Sequence, residues 1–254
     1  MGFELQVLPT ASLVAEAAAR RFVAIANDAI RSRGEFVVAL SGGSTPRSMY
    51  ARLAAEPGAS SVNWSRVQVL WGDERCVPPD HPASNYRLAR EALLDHVPIP
   101  AANVHRIRGE DDPAAAATAY ERVIRGVLRT SMGPPRGSPG ARIDLVLLGL
   151  GVDGHTASLF PGAVTVHDSP SWVRAEYAQA VSAWRVTLTP VIINAAAVVA
   201  FVVTGGAKAA IVRKVEGPHR PHELPAQLIA PAAGRVLWFA DAPAAAALRG
   251  STAR

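Results

Sequence analysis

Short apolar runs alternate along the chain with longer stretches whose apolar residues recur at helical spacing. An apolar run bounded by turn residues predicts a buried strand, and recurrence every three to four residues predicts a helix. Strands are therefore predicted at residues 3–8, 36–40, 67–71, 104–107, 143–150, 172–178, 185–188, 198–203 and 236–239. Helices are predicted at residues 11–31, 47–55, 85–94, 113–129, 190–196, 207–215 and at the Ala-rich end of the chain.

Repeated strand–loop–helix units with uninterrupted apolar strands predict an α/β fold, with a mainly parallel sheet and helices on both faces. The alternation resumes after the Gly- and Pro-rich stretch 131–140, which we interpret as an exposed loop rather than a linker. We expect residues 1–254 to form one domain. Ligands of such sheets bind at the carboxyl ends of the strands, so the loops after Leu40, Leu70, Leu148 and Val203 are the expected location of a site.

The first of these loops, residues 41–46, has the sequence SGGSTP. Gly42 and Gly43 permit a tight turn and close approach of backbone N–H groups to an anion. Ser44 and Thr45 add hydroxyl donors, and the N-terminus of the following helix favours negative charge. The loop therefore predicts phosphate binding, with an ordinary strand-to-helix turn as the alternative. It matches neither a Walker A loop nor a GxGxxG fingerprint.

The second loop begins WGDER and places ionisable residues directly after a buried strand. Asp73 could position a sugar hydroxyl, and Arg75 could neutralise an oxyanion or a phosphate. The alternative is a solvated loop with an internal Asp–Arg pair. We interpret His81, further along this loop, as a structural residue rather than a catalytic one.

The third loop reads LGLGVDGHTASLFPG from residue 148 to residue 162. His155 lies in a Gly-rich turn just beyond an apolar strand, where a neutral imidazole can take a proton from water. Asp153 could orient the ring or hydrogen-bond a substrate. The spacing is not that of a Ser-His-Asp triad, and no GxSxG elbow occurs. A helix cap or a structural histidine is the alternative to catalysis.

Two further cations lie beside predicted strands. Arg185 opens the sequence RVTLTP, and Lys208 lies just inside the helix that follows a Thr-Gly-Gly turn. A lysine at the N-terminal end of a helix is unfavourable with the helix dipole, and a bound anion would remove that penalty. With one phosphate, loop 41–45, Arg185 and Lys208 could form a single clamp.

Composition narrows the class of protein. The chain of 254 residues is 49% hydrophobic and 19% charged, which excludes a disordered chain. Its net charge is +5, from 26 basic and 21 acidic residues. All the basic residues except Lys208 and Lys214 are arginines, and they are scattered among acidic residues rather than gathered in a run. We therefore expect no nucleic-acid partner.

The single cysteine, Cys76, excludes an internal disulfide and a multi-Cys metal site. The N-terminus lacks a basic segment followed by an apolar one, and no stretch is apolar for about 18 residues or more, so neither a signal peptide nor a membrane span is predicted. We expect a cytoplasmic protein, a monomer or small homo-oligomer, with no metal, no cofactor and no membrane partner.

The segments SGGSTP, WGDERCVP with DHPASNY, LGLGVDGHTASLFPG, RVTLTP and TGGAKA occur in the order seen in 6-phosphogluconolactonases. The chain resembles that family from residue 3 to residue 241. The resemblance implies a Rossmann-like α/β fold, shared with glucosamine-6-phosphate deaminases and ribose-5-phosphate isomerases. It also implies hydrolysis of 6-phospho-D-glucono-1,5-lactone to 6-phosphogluconate, the second step of the oxidative pentose phosphate pathway.

Glucosamine-6-phosphate deaminases are the main alternative, because they are similar at SGGSTP and at an Asp-Gly-His loop. In their pattern a Phe-Asn-Glu-Pro run follows the histidine, and its glutamate works with the histidine in ring opening. Residues 156–161 are Thr-Ala-Ser-Leu-Phe-Pro here, and the deaminase Asp-Glu-Tyr is Asp-Glu-Arg at 73–75. Both departures favour the lactonase. A non-catalytic sugar-phosphate-binding protein on the same scaffold is a second alternative.

For a lactonase, we expect His155 to act as general base on the water that attacks the lactone carbonyl, with Asp153 orienting His155 or the substrate. Arg75 or backbone N–H groups would stabilise the oxyanion, and whether Arg75 contacts the carbonyl or the phosphate stays open. Asp73 would hold sugar hydroxyls. The phosphate would be held by Gly42, Gly43, Ser44, Thr45, Arg185 and Lys208.

Overall fold

The structure is a computed structural model that describes residues 4–129, 142–163 and 170–250. The predicted loop 131–140 lies outside the described residues. The strands are β1 (Glu4–Leu8), β2 (Phe36–Leu40), β3 (Val67–Trp71), β4 (Asp73–Arg75), β5 (Leu145–Leu148), β6 (Val173–Ala178), β7 (Ala183–Leu188), β8 (Val198–Val203) and β9 (Arg235–Asp241). The α-helices are α1 (Ala11–Arg33), α2 (Ser44–Ala54), α3 (Asn85–Ala92), α4 (Pro113–Val127), α5 (Pro190–Ile193) and α6 (Ala209–Glu216).

One sheet is wholly parallel, with the strand order β1-β9-β8-β5-β2-β3. From β2 the chain proceeds to β3 at one edge, whereas from β5 it proceeds through β8 and β9 toward the other edge. The direction of the crossovers therefore reverses between the neighbouring strands β2 and β5. Such a reversal is the point at which open α/β sheets bind ligands. The predicted α/β fold with a mainly parallel sheet is confirmed.

The second sheet is small and antiparallel, with the order β4-β7-β6. Its strand β4 lies in the second of the predicted loops, the one that begins WGDER, so the prediction of a loop is wrong for residues 73–75. The polar sequence Asp-Glu-Arg has no apolar pattern, and its pairing with β7 makes it a strand. Gly72 joins the two sheets, because its N–H donates to Leu40 O and its carbonyl accepts from Leu188 N, both at 2.8 Å.

Other differences concern short elements. Residues 104–107 do not form a strand: Val104 makes only an isolated bridge to Val69 at the edge of the sheet. Helix α2 begins at Ser44, three residues before the predicted start. The Ala-rich end of the chain holds a 3-10 turn, Ala246–Gly250, rather than a regular helix.

The long helix α1 has clear signals at both ends. The Thr10 side chain accepts a hydrogen bond from Leu13 N, and Gly34 ends the helix at a φ of +83°. Its buried face is rich in small residues and packs against α2 and β9. Among the described helices, none combines the length and the apolar character needed to cross a membrane.

Candidate active site

A cleft of about 270 Å³ opens at the carboxyl ends of β2, β5 and β8, beside the reversal in the strand order. The loops after these strands and strand β4 supply its walls. Of the residues predicted from sequence, those that line the cleft are Gly42, Gly43, Ser44, Thr45, Asp73, Arg75, His155 and Lys208. The other two, Asp153 and Arg185, lie next to lining residues: Asp153 contacts His155, and Arg185 pairs with Arg75.

The SGGSTP loop is held in shape by Tyr50, a fully buried residue that the sequence analysis missed. Its hydroxyl accepts from Ser41 N at 3.0 Å and donates to Ser41 O at 2.7 Å, and burial raises the pKa of Tyr50 above its ordinary value. Gly43 precedes α2 at a φ of +111°, which favours glycine. The hydroxyls of Thr45 and Thr204 lie 2.7 Å apart, so the loops after β2 and β8 touch. Ser44, Thr45 and Pro46 in the first turn of α2 line the cleft, and the first N–H groups of a helix have no partner within it.

Asp73 is buried and held on both carboxylate oxygens. Ser158 Oγ donates to Oδ2 at 2.7 Å, and Asn85 Nδ2 donates to Oδ1 at 3.3 Å and to the Asp73 carbonyl at 2.9 Å. Asn85 also lines the cleft, and its amide oxygen would lie 1.7 Å from a Cβ built on Gly42. Gly42 is therefore a glycine for a packing reason as well as for loop geometry. Asn85 was not identified as a site residue from the sequence. The only signal that could have indicated it is its position in the DHPASNY segment.

Arg75 and Arg185 lie directly opposite each other on the antiparallel strands β4 and β7. In the described part of the chain, neither forms a salt bridge with a carboxylate; Arg75 donates to the carbonyl of Ala83. Burial, together with the charge of Arg75, lowers the pKa of Arg185. The alternative of an internal Asp–Arg pair in a solvated loop does not fit, because Asp73 is buried and bound to Ser158 and Asn85.

His155 and Asp153 form a close pair. The ring Nδ1 lies 2.6 Å from Asp153 Oδ1, and the backbone N–H of His155 donates to the same oxygen at 3.1 Å. Because an ionised carboxylate only accepts, Nδ1 is the donor in this pair, and in the neutral ring the lone pair is then on Nε2. Burial acts to raise the pKa of Asp153, but the hydrogen bonds and charge of His155 outweigh it, so this pKa lies below its ordinary value.

Two neighbours fix this pair in place. The His155 ring packs against Phe160, with 4.9 Å between ring centroids. A Cβ on Gly151 would lie 2.0 Å from His155 Nδ1 and 2.4 Å from Asp153 Oδ1, so only glycine leaves room for the pair. The arrangement is that of an oriented base, with the free ring nitrogen available to take a proton.

Lys208 lines the cleft from the loop after β8. It lies in a 3-10 turn, Gly206–Lys208, immediately before α6, and not inside the helix as the sequence suggested. Desolvation lowers the pKa of Lys208, and the nearby charge of Asp153 partly offsets this. Asp241, which the sequence analysis did not identify, holds this loop by accepting from Gly205 N with both carboxylate oxygens, each at 3.0 Å.

The cleft thus brings together two cations, Arg75 and Lys208, the glycine-rich loop after β2 and the oriented His155. Within the described ranges, no group of three or more His, Cys, Asp or Glu side chains is placed to hold a metal ion. A glycine-rich loop at a helix N-terminus can bind an anion, and an Asp–His pair beside it can activate water, so the cleft suits a phosphorylated substrate that is attacked by water.

The chain matches a family model over residues 9–238, and that family is described as glucosamine-6-phosphate isomerases/6-phosphogluconolactonase. It is 41% identical over 224 residues to the 6-phosphogluconolactonase of Nostoc sp., covering 87% of this chain and 88% of the relative. It is 36% identical over 205 residues to the 6-phosphogluconolactonase of Haemophilus influenzae, covering 80% and 84%. The solved 6-phosphogluconolactonase from Trypanosoma cruzi superposes with a TM-score of 0.84 at 28% identity, covering 99% of this chain and 98% of that one.

Proposed function

The chain belongs to the family of glucosamine-6-phosphate isomerases and 6-phosphogluconolactonases, and from this premise we propose that it hydrolyses 6-phospho-D-glucono-1,5-lactone to 6-phosphogluconate. The sequence motifs resemble those of 6-phosphogluconolactonases, and this resemblance is confirmed by the two relatives named 6-phosphogluconolactonase. The reaction is the second step of the oxidative pentose phosphate pathway, and the enzyme class is that of carboxylic ester hydrolases. The observation that carries the proposal is the Asp153–His155 pair in the same cleft as the SGGSTP loop and Lys208.

His155 starts the reaction as the general base. Its Nε2 takes a proton from water, and the resulting hydroxide attacks the lactone carbonyl carbon to form a tetrahedral oxyanion. When the ring C–O bond breaks, the imidazolium returns the proton to the ring oxygen. The products are the open hydroxyl and a carboxylic acid that ionises in water, so His155 is regenerated. Asp153 holds the ring in the required tautomer throughout.

The substrate carries negative charge on its phosphate and develops it on the carbonyl oxygen during the reaction, and different groups of the cleft stabilise each charge. The phosphate lies against loop 41–45 and the first turn of α2, with Lys208 and Arg185 as counter-charges. Arg75 or backbone N–H groups of the cleft stabilise the oxyanion as it develops. Asp73, held rigidly by Ser158 and Asn85, accepts hydrogen bonds from sugar hydroxyls.

The assay that tests this function is acid release from freshly prepared lactone at constant pH, compared with spontaneous hydrolysis without enzyme. We expect release that scales with enzyme concentration. If lactone hydrolysis is no faster than the spontaneous reaction and ammonia is released from glucosamine 6-phosphate, the protein is a deaminase and not a lactonase. Binding of 6-phosphogluconate without turnover of either substrate would indicate a sugar-phosphate-binding protein.

The wider setting is also a proposal. We propose that residues 1–254 act as one domain, which is supported by the pairing of β1, near the start of the chain, with β9, near its end. We propose the cytoplasm as its compartment and a monomer or small homo-oligomer as its state, with the sugar lactone as its partner. Cell fractionation and light scattering test these points.

A further inference from the structure

Glu74 lies in the middle of β4 and is almost completely buried, with 2% of its surface exposed. Its carboxylate accepts four hydrogen bonds. Oε1 accepts from the backbone N–H groups of Arg75 and Asn85, both at 2.7 Å. Oε2 accepts from the backbone N–H of Tyr86 at 2.7 Å and from the hydroxyl of Ser84 at 3.0 Å.

These bonds join β4 to the beginning of helix α3. The first N–H groups of a helix have no partner inside the helix, and Glu74 satisfies two of them at this end. The usual cap is also present, because the Ser84 side chain accepts from Arg87 N at 3.1 Å. Burial raises the pKa of Glu74, and the four donors oppose that change by favouring the ionised form. A buried carboxylate is tolerated only when it is bonded in this way.

The anchor lies between two residues of the cleft. Asp73 precedes Glu74 and Arg75 follows it, and both line the cleft. Asn85, whose backbone N–H is bound by Glu74, donates through its side chain to Asp73. Asp73 and Glu74 are therefore bonded directly to the start of α3, and Arg75 is held through Glu74 and the Ala83 carbonyl. This helix end lies beside the SGGSTP loop through the contact of Asn85 with Gly42.

We propose that Glu74 is a positioning residue, which fixes Asp73 and Arg75 in the cleft by anchoring β4 to the start of α3 and affects the reaction only through them. The proposal rests on the proposed function. It assigns no contact with substrate to Glu74, since its carboxylate is buried under the groups that it binds.

The test is the isosteric variant Glu74→Gln. The amide nitrogen of the glutamine would meet N–H or O–H donors, so at least one anchor is lost and β4 shifts. We expect kcat/KM to fall by about 10²-fold, the effect of a displacement of about 1 Å at a reacting site. The matched control is Asp144→Asn. Asp144 is also a buried carboxylate, but it binds Val37 N and Arg33 away from the cleft lining, so its loss lowers Tm and leaves kcat/KM of the folded protein unchanged.

A double-mutant cycle with Asp73→Asn separates positioning from a general loss of structure. If Glu74 acts through Asp73 and Arg75, the double variant loses much less than the product of the two single losses. The cycle is measured on kcat/KM and on the Kd of 6-phosphogluconate, which needs no turnover. Should Glu74→Gln not fold, Ser84→Ala removes one of the four bonds together with the cap on Arg87 N, and a smaller but equally non-additive loss is expected.

Wild-type kcat/KM in Glu74→Gln, or in Ser84→Ala where that variant replaces it, would overturn the proposal. Losses that multiply in the cycle would also overturn it, since they would indicate independent effects. The wild-type protein is measured in parallel: if it hydrolyses the lactone and the variant matches it, only the role of Glu74 fails. If the wild type does not hydrolyse the lactone, the proposed function fails instead.

Discussion

Arg75 and Arg185 face each other across the antiparallel strands β4 and β7, at the edge of the cleft. Like charges directly opposite each other destabilise a sheet, and here burial and the charge of Arg75 lower the pKa of Arg185. A phosphate bound near both guanidinium groups would attract each of them and so offset this repulsion. The Arg75–Arg185 pair therefore destabilises the protein without a bound anion and makes anion binding more favourable.

The first prediction concerns this pair. Inorganic phosphate at about 100 times its Kd should stabilise the wild-type protein by about 2.7 kcal/mol, which thermal unfolding detects as a rise in Tm. In Arg185→Ala this rise should largely disappear and KM for the lactone should increase. The control is Arg20→Ala, an exposed arginine on α1 that pairs with Glu16. An equal Tm rise in wild type and Arg185→Ala would contradict the role of Arg185.

The second prediction uses the two lysines of the chain. Lys208 lines the cleft, whereas Lys214 is exposed on α6. Loss of a charged hydrogen bond costs about 1.5–3 kcal/mol, so Lys208→Ala should raise KM for the phosphorylated lactone by about 10-fold to 100-fold. Lys214→Ala should leave it unchanged. With unphosphorylated gluconolactone the two variants should behave alike, and a selective loss there would show that Lys208 does not bind the phosphate.

The third prediction concerns the proposed base. Removal of a general base typically costs about 10²–10⁴-fold, so His155→Ala should lower kcat by that range with little change in KM. The control, His219→Ala, replaces an exposed histidine outside the cleft. The rate of acid release from the lactone measures kcat for His155→Ala and for the control. A His155→Ala enzyme with near-normal kcat would leave His155 as a structural residue.

The fourth prediction concerns Asp153. The pKa of Asp153 lies below its ordinary value, so its bond to His155 persists at neutral pH and is lost only as the pH falls through that lowered value. Protonation of Asp153 therefore plays no part in the activity of the wild-type enzyme near neutral pH. In Asp153→Asn the His155 ring loses its carboxylate partner, so kcat at neutral pH should fall by about 10-fold to 100-fold. Acid release by the two enzymes at the same pH measures this, and equal kcat values would show that Asp153 does not orient His155.

The fifth prediction tests the packing at Gly42. A Cβ there would lie 1.7 Å from the Asn85 amide oxygen, so Gly42→Ala must displace Asn85 and, with it, Asp73. We expect a loss of kcat/KM of at least tenfold, and of about 1–3 kcal/mol in unfolding free energy. Gly126→Ala on α4 is the control, because a Cβ there meets nothing within 4 Å. Normal activity of Gly42→Ala would mean that Asn85 moves without consequence for Asp73.

The sequence predicted the elements whose signal is local. Residues 36–40 and 198–203 are apolar runs that form β2 and β8 with the predicted bounds. It missed β4, because Asp-Glu-Arg has no apolar pattern and becomes a strand only through its pairing with β7. It also missed the roles of Tyr50, Asn85 and Glu74, whose hydrogen bonds hold the cleft residues. Glu74 and Asn85 lie in motif segments, but no local pattern shows which groups they bind.

The sequence by itself determined the parallel sheet, the loops that carry the chemistry and the family, because apolar periodicity and loop motifs are properties of neighbouring residues. Tertiary structure alone decided which of those loops meet. Arg75 lies opposite Arg185, and Asn85 packs against Gly42, only because the strand order brings distant segments to one edge of the sheet. Such contacts depend on register and packing between segments far apart in the chain, which no local pattern specifies.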